Sequence, residues 1–401
     1  DAGNYDYTLK GWDSNVNSPD NLSLTTSGKY SLIGSSYRTS LINSKGWTIN
    51  DGGIDTYVFI TKWNINSGDT LYLPLITTGT YNCTVNWGDN TVVNVTSSSS
   101  NIHTYQTGDY NYIYISGTLT GWNFSEVTNS RAKILEVNQC GTLKFVDGIG
   151  YFSDCTNLTW PAIDAIDLTG ITSLSNMFKN CSLFNGVINN WSLSSITDVS
   201  NMFENATTFN RDISSWGVNN VVNLSGMFKN ATSFNQHIGI WNTGSATDTS
   251  SMFDNATSFN QNINAWTTSS VNYMTNMFYG ALSFNQSLED WNLSSISLIG
   301  LTSMLDDSGI SILNYDKTLI GWANNSNTPT SKTFGASSIQ YTSIGENGRD
   351  YLVNTKSWTI GDGGITISTN NFKESPVLLS PFFGFSFSTI GSWFFFVVKV
   401  K

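Results

Sequence analysis

The sequence predicts a mixed fold of α/β and all-β modules, in which a solenoid carrying a parallel sheet is preceded by a small β-sandwich. Three observations predict it. A 25-residue pattern recurs five times without insertion, a longer echo joins the two ends of the chain, and the residues between the first echo and the repeats alternate as strands do. A chain of 401 residues exceeds one ordinary core, so two to four modules are expected before any motif is read.

The echo comes first. Residues 4–12 read NYDYTLKGW and residues 314–322 read NYDKTLIGW; Tyr30, Arg38, Leu41 and Trp47 return as Tyr341, Arg349, Leu352 and Trp358, closing in WTINDGG and WTIGDGG. One module is therefore present twice, at residues 1–54 and 313–365. A repeat array needs its last copy covered by an element with a polar outer face. The second module reads as that cap, and the first as the cap of a preceding unit. The spacing of roughly 310 residues implies that the complete protein strings several such units together. The chain opens at Asp1 without a methionine or a charged-then-apolar leader, so a secretion signal is expected upstream or already removed.

Residues 55–125 follow. Thr56-Tyr57-Val58-Phe59-Ile60 and Tyr110-Asn111-Tyr112-Ile113-Tyr114-Ile115 have the period of β-strands and predict a small sandwich.

Residues 126–312 carry the repeats. From Asn176 the copies read NMFKNCSLFNGVINNWSLSSITDVS, NMFENATTFNRDISSWGVNNVVNLS, GMFKNATSFNQHIGIWNTGSATDTS, SMFDNATSFNQNINAWTTSSVNYMT and NMFYGALSFNQSLEDWNLSSISLIG. Met177, Met202, Met227, Met252 and Met277 make one column; Phe184, Phe209, Phe234, Phe259 and Phe284 a second; Trp191, Trp216, Trp241, Trp266 and Trp291 a third. Val199, Met202, Phe203 and Ala206 have helical spacing, whereas Phe209 to Trp216, with Ile213 between polar neighbours, reads as a strand. One helix and one strand per copy cannot bury an apolar face alone, so copies must stack, and the Met, Phe and Trp columns are their core. Two Asn columns, at Asn180, Asn205, Asn230 and Asn255 and at Asn185, Asn210, Asn235, Asn260 and Asn285, are expected to hydrogen-bond turn backbone. Earlier rungs, marked by Ile134, Leu135, Val137, Leu143, Phe145, Phe152, Cys155 and Leu158, have a looser register.

Residues 366–401 form a hydrophobic tail. From Pro376 to Val398 no residue is charged, and Lys399 and Lys401 follow, a length that suits a bilayer span with a positive end. Pro381, Gly384 and Gly391 weaken a helix there, and Phe385-Ser386-Phe387-Ser388 alternates like a strand. Both readings stand.

The pattern MFxxAxxFNxxIxxW resembles the BspA-like leucine-rich repeats of bacterial and protist surface proteins, in the variant first noted in mycoplasma lipoproteins. The resemblance covers about half the chain. It implies a leucine-rich-repeat-like solenoid, surface display, and adhesion rather than catalysis. Trp87-Gly88-Asp89, His103-Thr104-Tyr105 and Gly108-Asp109-Tyr110 resemble PKD-type domains, which implies an immunoglobulin-like sandwich serving as a spacer.

Composition bounds the function. Charged residues make up 12% and aromatics 13%, which describes neutral, hydrogen-bonding surfaces rather than a disordered tail. A net charge of -11 and a pI near 4.5 leave no basic stripe to neutralise phosphates, which excludes nucleic acid as a partner. Sequons at Asn21, Asn82, Asn94 and Asn123 suit a secreted protein in a eukaryotic host.

Catalysis needs converging acids, bases or metal ligands, and no such convergence is expected. His103 lies within the Trp87–Tyr105 motif, His237 fills a variable repeat position, and Asp306 and Asp307 fall where the last repeat meets the cap. No catalytic residue, metal or cofactor is expected. Cys155 and Cys181 share a column one rung apart, which makes a disulfide geometrically feasible; Ala206, Ala231, Ala256 and Ala281 continue that column, so the position chiefly demands a small buried side chain. Cys83 and Cys140 lie in different modules and are expected to be free or buried.

If Ile213 and its equivalents point inward, their neighbours form one outward face. Val187, Asn189, Asp212, Ser214, His237, Gly239, Asn262, Asn264, Ser287 and Glu289 line it and are the candidate binding residues. The expected function is an extracellular, surface-displayed adhesin or interaction module that binds a protein or polysaccharide on another cell or matrix. The alternative is a structural unit of a stalk or filament contacting copies of itself, and a distant third is a glycan-active enzyme. Membrane contact is expected only if the tail is an anchor.

Overall fold

A computed structural model describes residues 2–108 and 112–366. The tail beyond Thr366, with its two readings, lies outside the described residues, as do Asp109, Tyr110 and Asn111 of the sandwich motifs.

The twice-present module folds the same way both times. The first copy comprises α1 (Ala2–Ser14), β1 (Ser23–Thr25), α2 (Leu32–Lys45) and β2 (Thr48–Asn50), with β1 and β2 parallel and Leu24 opposite Ile49. Its recurring residues are a hydrogen-bonded set. Asp51 accepts from Arg38 Nε at 2.8 Å and from the Tyr5 hydroxyl at 3.1 Å, and the Trp47 indole donates to Pro19 O at 2.8 Å. Leu9, Leu41, Trp47 and Ile49 give this module its own small core.

Eight strands follow: β3 (Val58–Trp63), β4 (Thr70–Tyr72), β5 (Tyr81–Asn86), β6 (Val92–Val95), β7 (Ile102–Thr104), β8 (Tyr112–Thr120), β9 (Ile134–Gln139) and β10 (Leu143–Lys144). Six form one sheet in the order β6-β5-β8-β3-β9, with β10 also pairing β8; every pairing except β10–β8 is antiparallel. The other two, β4 and β7, form an antiparallel ribbon. Phe59, Trp63, Trp122 and Phe124 interlock edge-on or tilted beneath the sheet at centroid separations of 4.9 to 6.3 Å.

The repeats then depart from the expected fold class. Between β10 and the second module, no described residue of the five copies is in a helix or a named strand. Copies meet through single parallel bridges that run Ser173–Asp198–Asn223–Asp248–Tyr273. Across the described chain the sheets are mostly antiparallel, helices are few, and the separate parallel sheets, β1–β2 and β11 (Thr333–Ala336) with β12 (Thr359–Asp362), have only two strands each. No leucine-rich-repeat-like solenoid with a parallel sheet forms. In place of the immunoglobulin-like β-sandwich stands one six-stranded sheet with a two-stranded ribbon.

The reason lies in the backbone. Each copy carries two left-handed residues four apart: Asn176, Asn201, Gly226, Ser251 and Asn276 in one column, and Asn180, Asn205, Asn230, Asn255 and Gly280 in the other, all with φ between 52° and 63°. Neither helix nor strand accommodates such residues, which Asn and Gly tolerate best. The Met-Phe segment, which has helical spacing, is therefore a run of tight turns. Successive N–H groups alternate between a copy's own turn and the next copy: Lys179 N donates to Asn176 O at 3.1 Å, whereas Phe178 N and Asn180 N reach Met202 O and Glu204 O at 2.9 and 2.7 Å. Buried backbone groups are thus satisfied without regular secondary structure.

Between the turns lies an aromatic stack. Phe178, Phe203, Phe228, Phe253 and Phe278 follow one another at 5.6 to 5.9 Å, and each also stacks on the second Phe of its own copy, as Phe228 does on Phe234 at 3.8 Å. The Met and second Phe columns are fully buried, and the Trp column nearly so. The second module, α3 (Ile312–Asn324), β11, α4 (Ser343–Asp350) and β12, closes the row. It repeats the first module's wiring, with Asp362 accepting from Arg349 Nε at 2.8 Å and from Tyr315 at 3.1 Å.

Candidate interaction surface

The repeats present their side chains in ladders. Trp216, Trp241, Trp266 and Trp291 each donate an indole N–H to the backbone oxygen three residues before the preceding Trp, namely Ile188, Ile213, Ile238 and Ile263, at 2.9 to 3.2 Å. Trp322 of α3 adds the next rung, to Leu288 O at 2.8 Å. This ladder fixes the segment that carries the candidate binding residues.

Along that segment, Ile188, Ile213, Ile238, Ile263 and Leu288 are fully buried. Their neighbours lie at the surface: Val187, Asn189, Asp212, His237 and Asn262 are exposed, and Ser214, Gly239, Asn264, Ser287 and Glu289 are half-buried. The structure brings the ten residues into one row with the repeat's own spacing.

Part of the row is occupied by local bonding. Asp212 accepts from Ser214 N at 2.9 Å, and hydrogen bonds from Ser214 hold its carboxyl below the usual range. Asn262 accepts from Asn264 N at 3.0 Å, while Asn264 exchanges hydrogen bonds with Asp290, donating to its carboxylate at 2.5 Å and accepting from its N–H at 3.1 Å. Gly239 sits so close to the next copy that a Cβ there would lie 2.2 Å from Asn262 O. Sequence reasoning passed over the exposed apolar groups beside this row, Ile163 at 68% and Ile240 at 67%. Ile240 lies two residues after the buried Ile238, an interval that in a strand would turn it inward, so no sequence signal marks its exposure.

The Asn columns work in two ways. Asn185, Asn210, Asn235 and Asn260 each accept, through Oδ1, the backbone N–H of the next column member at 2.8 to 3.1 Å, and Asn285 accepts from Ser311 N at 2.9 Å. Asn205 and Asn230 instead donate to the amide oxygen of the preceding Asn, at 2.6 and 2.8 Å, and Asn180 donates to Asp154 at 2.6 Å. The first set serves turn backbone as expected; the second is instead a side-chain ladder from Asp154 to Asn230, after which Asn255 donates to Asp254 of its own copy at 2.8 Å.

The remaining polar candidates sit elsewhere. His103 Nε2 meets Asp89 Oδ2 at 2.7 Å and stacks on Trp87 at 4.8 Å. Burial pushes the Asp89 carboxyl up, but the bonds to His103 and Thr91 outweigh it and hold the group below its ordinary value. Asp306 accepts from Ser337 N at 2.7 Å and so ties the last repeat to the cap. Cys155 and Cys181 are buried free thiols rather than a disulfide, with Cys181 donating to Phe152 O at 3.0 Å; Cys83 and Cys140 are also free and buried. Among the described residues no group of His, Cys, Asp and Glu is arranged to hold a metal ion, and no helix is long and apolar enough to cross a membrane. A cavity of about 620 Å³ lies between α3 and α4, lined by Ile320, Ala323, Ile344, Asn347, Gly348 and Tyr351 among others.

The repeat region is similar to one family, described as a Mycoplasma protein of unknown function, DUF285, which matches residues 148–253, 216–309 and 235–340. The overlapping matches follow the internal repetition. No curated protein and no solved structure matches the chain.

Proposed function

We propose that this chain is an extracellular, surface-displayed interaction module, and not an enzyme, that binds a protein or polysaccharide through the exposed row of its repeats. The observation that carries the reading is the alternation along that row: five fully buried apolar residues, one per copy, flanked by surface positions that are mostly small or polar. A regular surface of amides, hydroxyls and short aliphatic groups suits a ligand that is itself repetitive. The finer resemblance, to BspA-like surface proteins with a PKD-like segment around Trp87-Gly88-Asp89, belongs to the same proposal. A second reading, a structural unit of a stalk or filament, is favoured by one observation, the module present at both ends.

The test is a binding screen of the whole chain on arrays of glycans and extracellular proteins, beside Ser214→Trp and Asn262→Trp. Specific binding that falls at least about tenfold in variants with unchanged melting would locate the site on the row. A wild-type chain that binds nothing on either array, and associates end to end, would replace this reading with the structural one.

A further inference from the structure

The two copies of the module differ in what lies against them. In the second copy, α3 and β11 sit on the last repeat. Thr318 Oγ1 accepts the Leu288 N–H at 3.0 Å, Trp322 donates to Leu288 O at 2.8 Å, and a Cβ on Gly321 would lie 2.3 Å from Glu289 O. On the strand, Thr333 N and Gly335 N donate to Leu298 O and Leu301 O, both at 3.1 Å, and Gly335 O accepts from Leu305 N at 2.9 Å. Thr318, Trp322 and Phe334 are buried as a result.

The corresponding residues of the first copy are Thr8, Gly11, Trp12 and Leu24. Thr8 keeps the same helical hydroxyl bond, to Asn4 O at 2.8 Å as Thr318 does to Asn314 O, yet it is exposed. Trp12 and Leu24 are half-buried, and a Cβ on Gly11 would meet nothing within 4 Å. β1 is the edge of a two-stranded sheet. Nothing local accounts for a glycine inside an open helix face, where it weakens the helix. The module's other side is taken, because Ala2 packs with Val58, Ile60 and Tyr114 of the large sheet.

We infer that the face formed by Thr8, Gly11, Trp12, Leu24 and the outer edge of β1 is a docking site for a 25-residue repeat copy. That copy ends an array running into Ala2 within the same polypeptide. The contacts at Leu288–Leu305 define it: one backbone N–H for the Thr8 hydroxyl, one carbonyl for the Trp12 indole, backbone pressed against Gly11, and carbonyl groups for Ser23 N and Thr25 N. This inference is independent of what the exposed row binds.

The experiment compares the chain with a tandem in which residues 1–311 of one copy run directly into Ala2 of a second, full copy. All four native cysteines are buried, so Thr8→Cys reports its own exposure to a maleimide. The expected result is rapid labelling of Thr8→Cys in the single chain and protection of about 100-fold or more at the tandem junction, matching Thr318→Cys in the single chain. Gly11→Leu gives a second readout. It should leave the urea midpoint of the single chain unchanged or higher, and lower that of the tandem as Gly321→Leu lowers that of the single chain. A folded tandem whose junction labels at the single-chain rate and tolerates Gly11→Leu overturns the inference. Concentration-dependent protection in the single chain also overturns it, since separate copies would then be the occupant.

Discussion

At the scale of the residue, the copies depend on two kinds of position. One is the buried aromatic. Phe234 is fully buried, stacks on Phe228 at 3.8 Å, and meets Phe209 and Phe259 at 5.9 and 6.1 Å. Phe234→Ala removes a ring that neighbouring copies cannot refill without breaking register, and should destabilise the chain by about 3–5 kcal/mol in urea denaturation. The other is the left-handed Asn. Asn205 holds φ 59° and donates to Asn180 Oδ1 at 2.6 Å. Asn205→Val demands a β-branched residue at positive φ and should cost about 1–3 kcal/mol. Asn205→Gly keeps the dihedral, loses only the amide bonds to Asn180 and Asn230 and should cost clearly less; Gly280 already occupies this column. Equal losses for the two variants would mean that the dihedral is not what the column selects.

At the scale of the element, the first module carries a buried carboxyl. Burial pushes Asp6 up to about 6, against bonds from the Ser31 hydroxyl and N–H, the latter at 2.9 Å, that pull it down. The unfolded chain titrates this group near 3.8. The folded module therefore holds the proton more tightly, and this stabilising contribution is full below about pH 4 and lost as pH rises through 6. Hydrogen exchange of the Leu9 and Leu41 amides should accordingly report a module that opens more readily at pH 6.5 than at pH 4, after correction for intrinsic exchange. Asp6→Asn should flatten that dependence. An unchanged slope in the variant would assign it to another group.

At the scale of the whole molecule, one continuous apolar core runs from the large sheet through the repeats into the second module, while the first module keeps its own. The first module is thus the part most free to open separately, which suits a position between successive arrays. The repeats make most of their contacts with adjacent copies, so stability should be transmitted copy to copy. Phe184→Ala and Phe284→Ala, near the two ends of the row, should lower stability by similar amounts, as denaturation of each variant would show. A loss confined to one of them would mean that the copies are not equivalent.

The sequence by itself determined the 25-residue period, the buried Met, Phe and Trp columns, and the identity of the two end modules. Each depends only on which side chains recur at fixed intervals, and the physical need to bury large apolar groups turns recurrence into core. Only the tertiary structure decided the backbone. Val199, Met202, Phe203 and Ala206 are spaced as on a helix, yet spacing records which residues point inward and not the dihedral angles that aim them. Asn201 and Asn205, left-handed on either side of Phe203, achieve the same inward pointing through turns. Those turns persist because each copy's N–H groups find carbonyls on the next, a partner that no single copy's sequence contains.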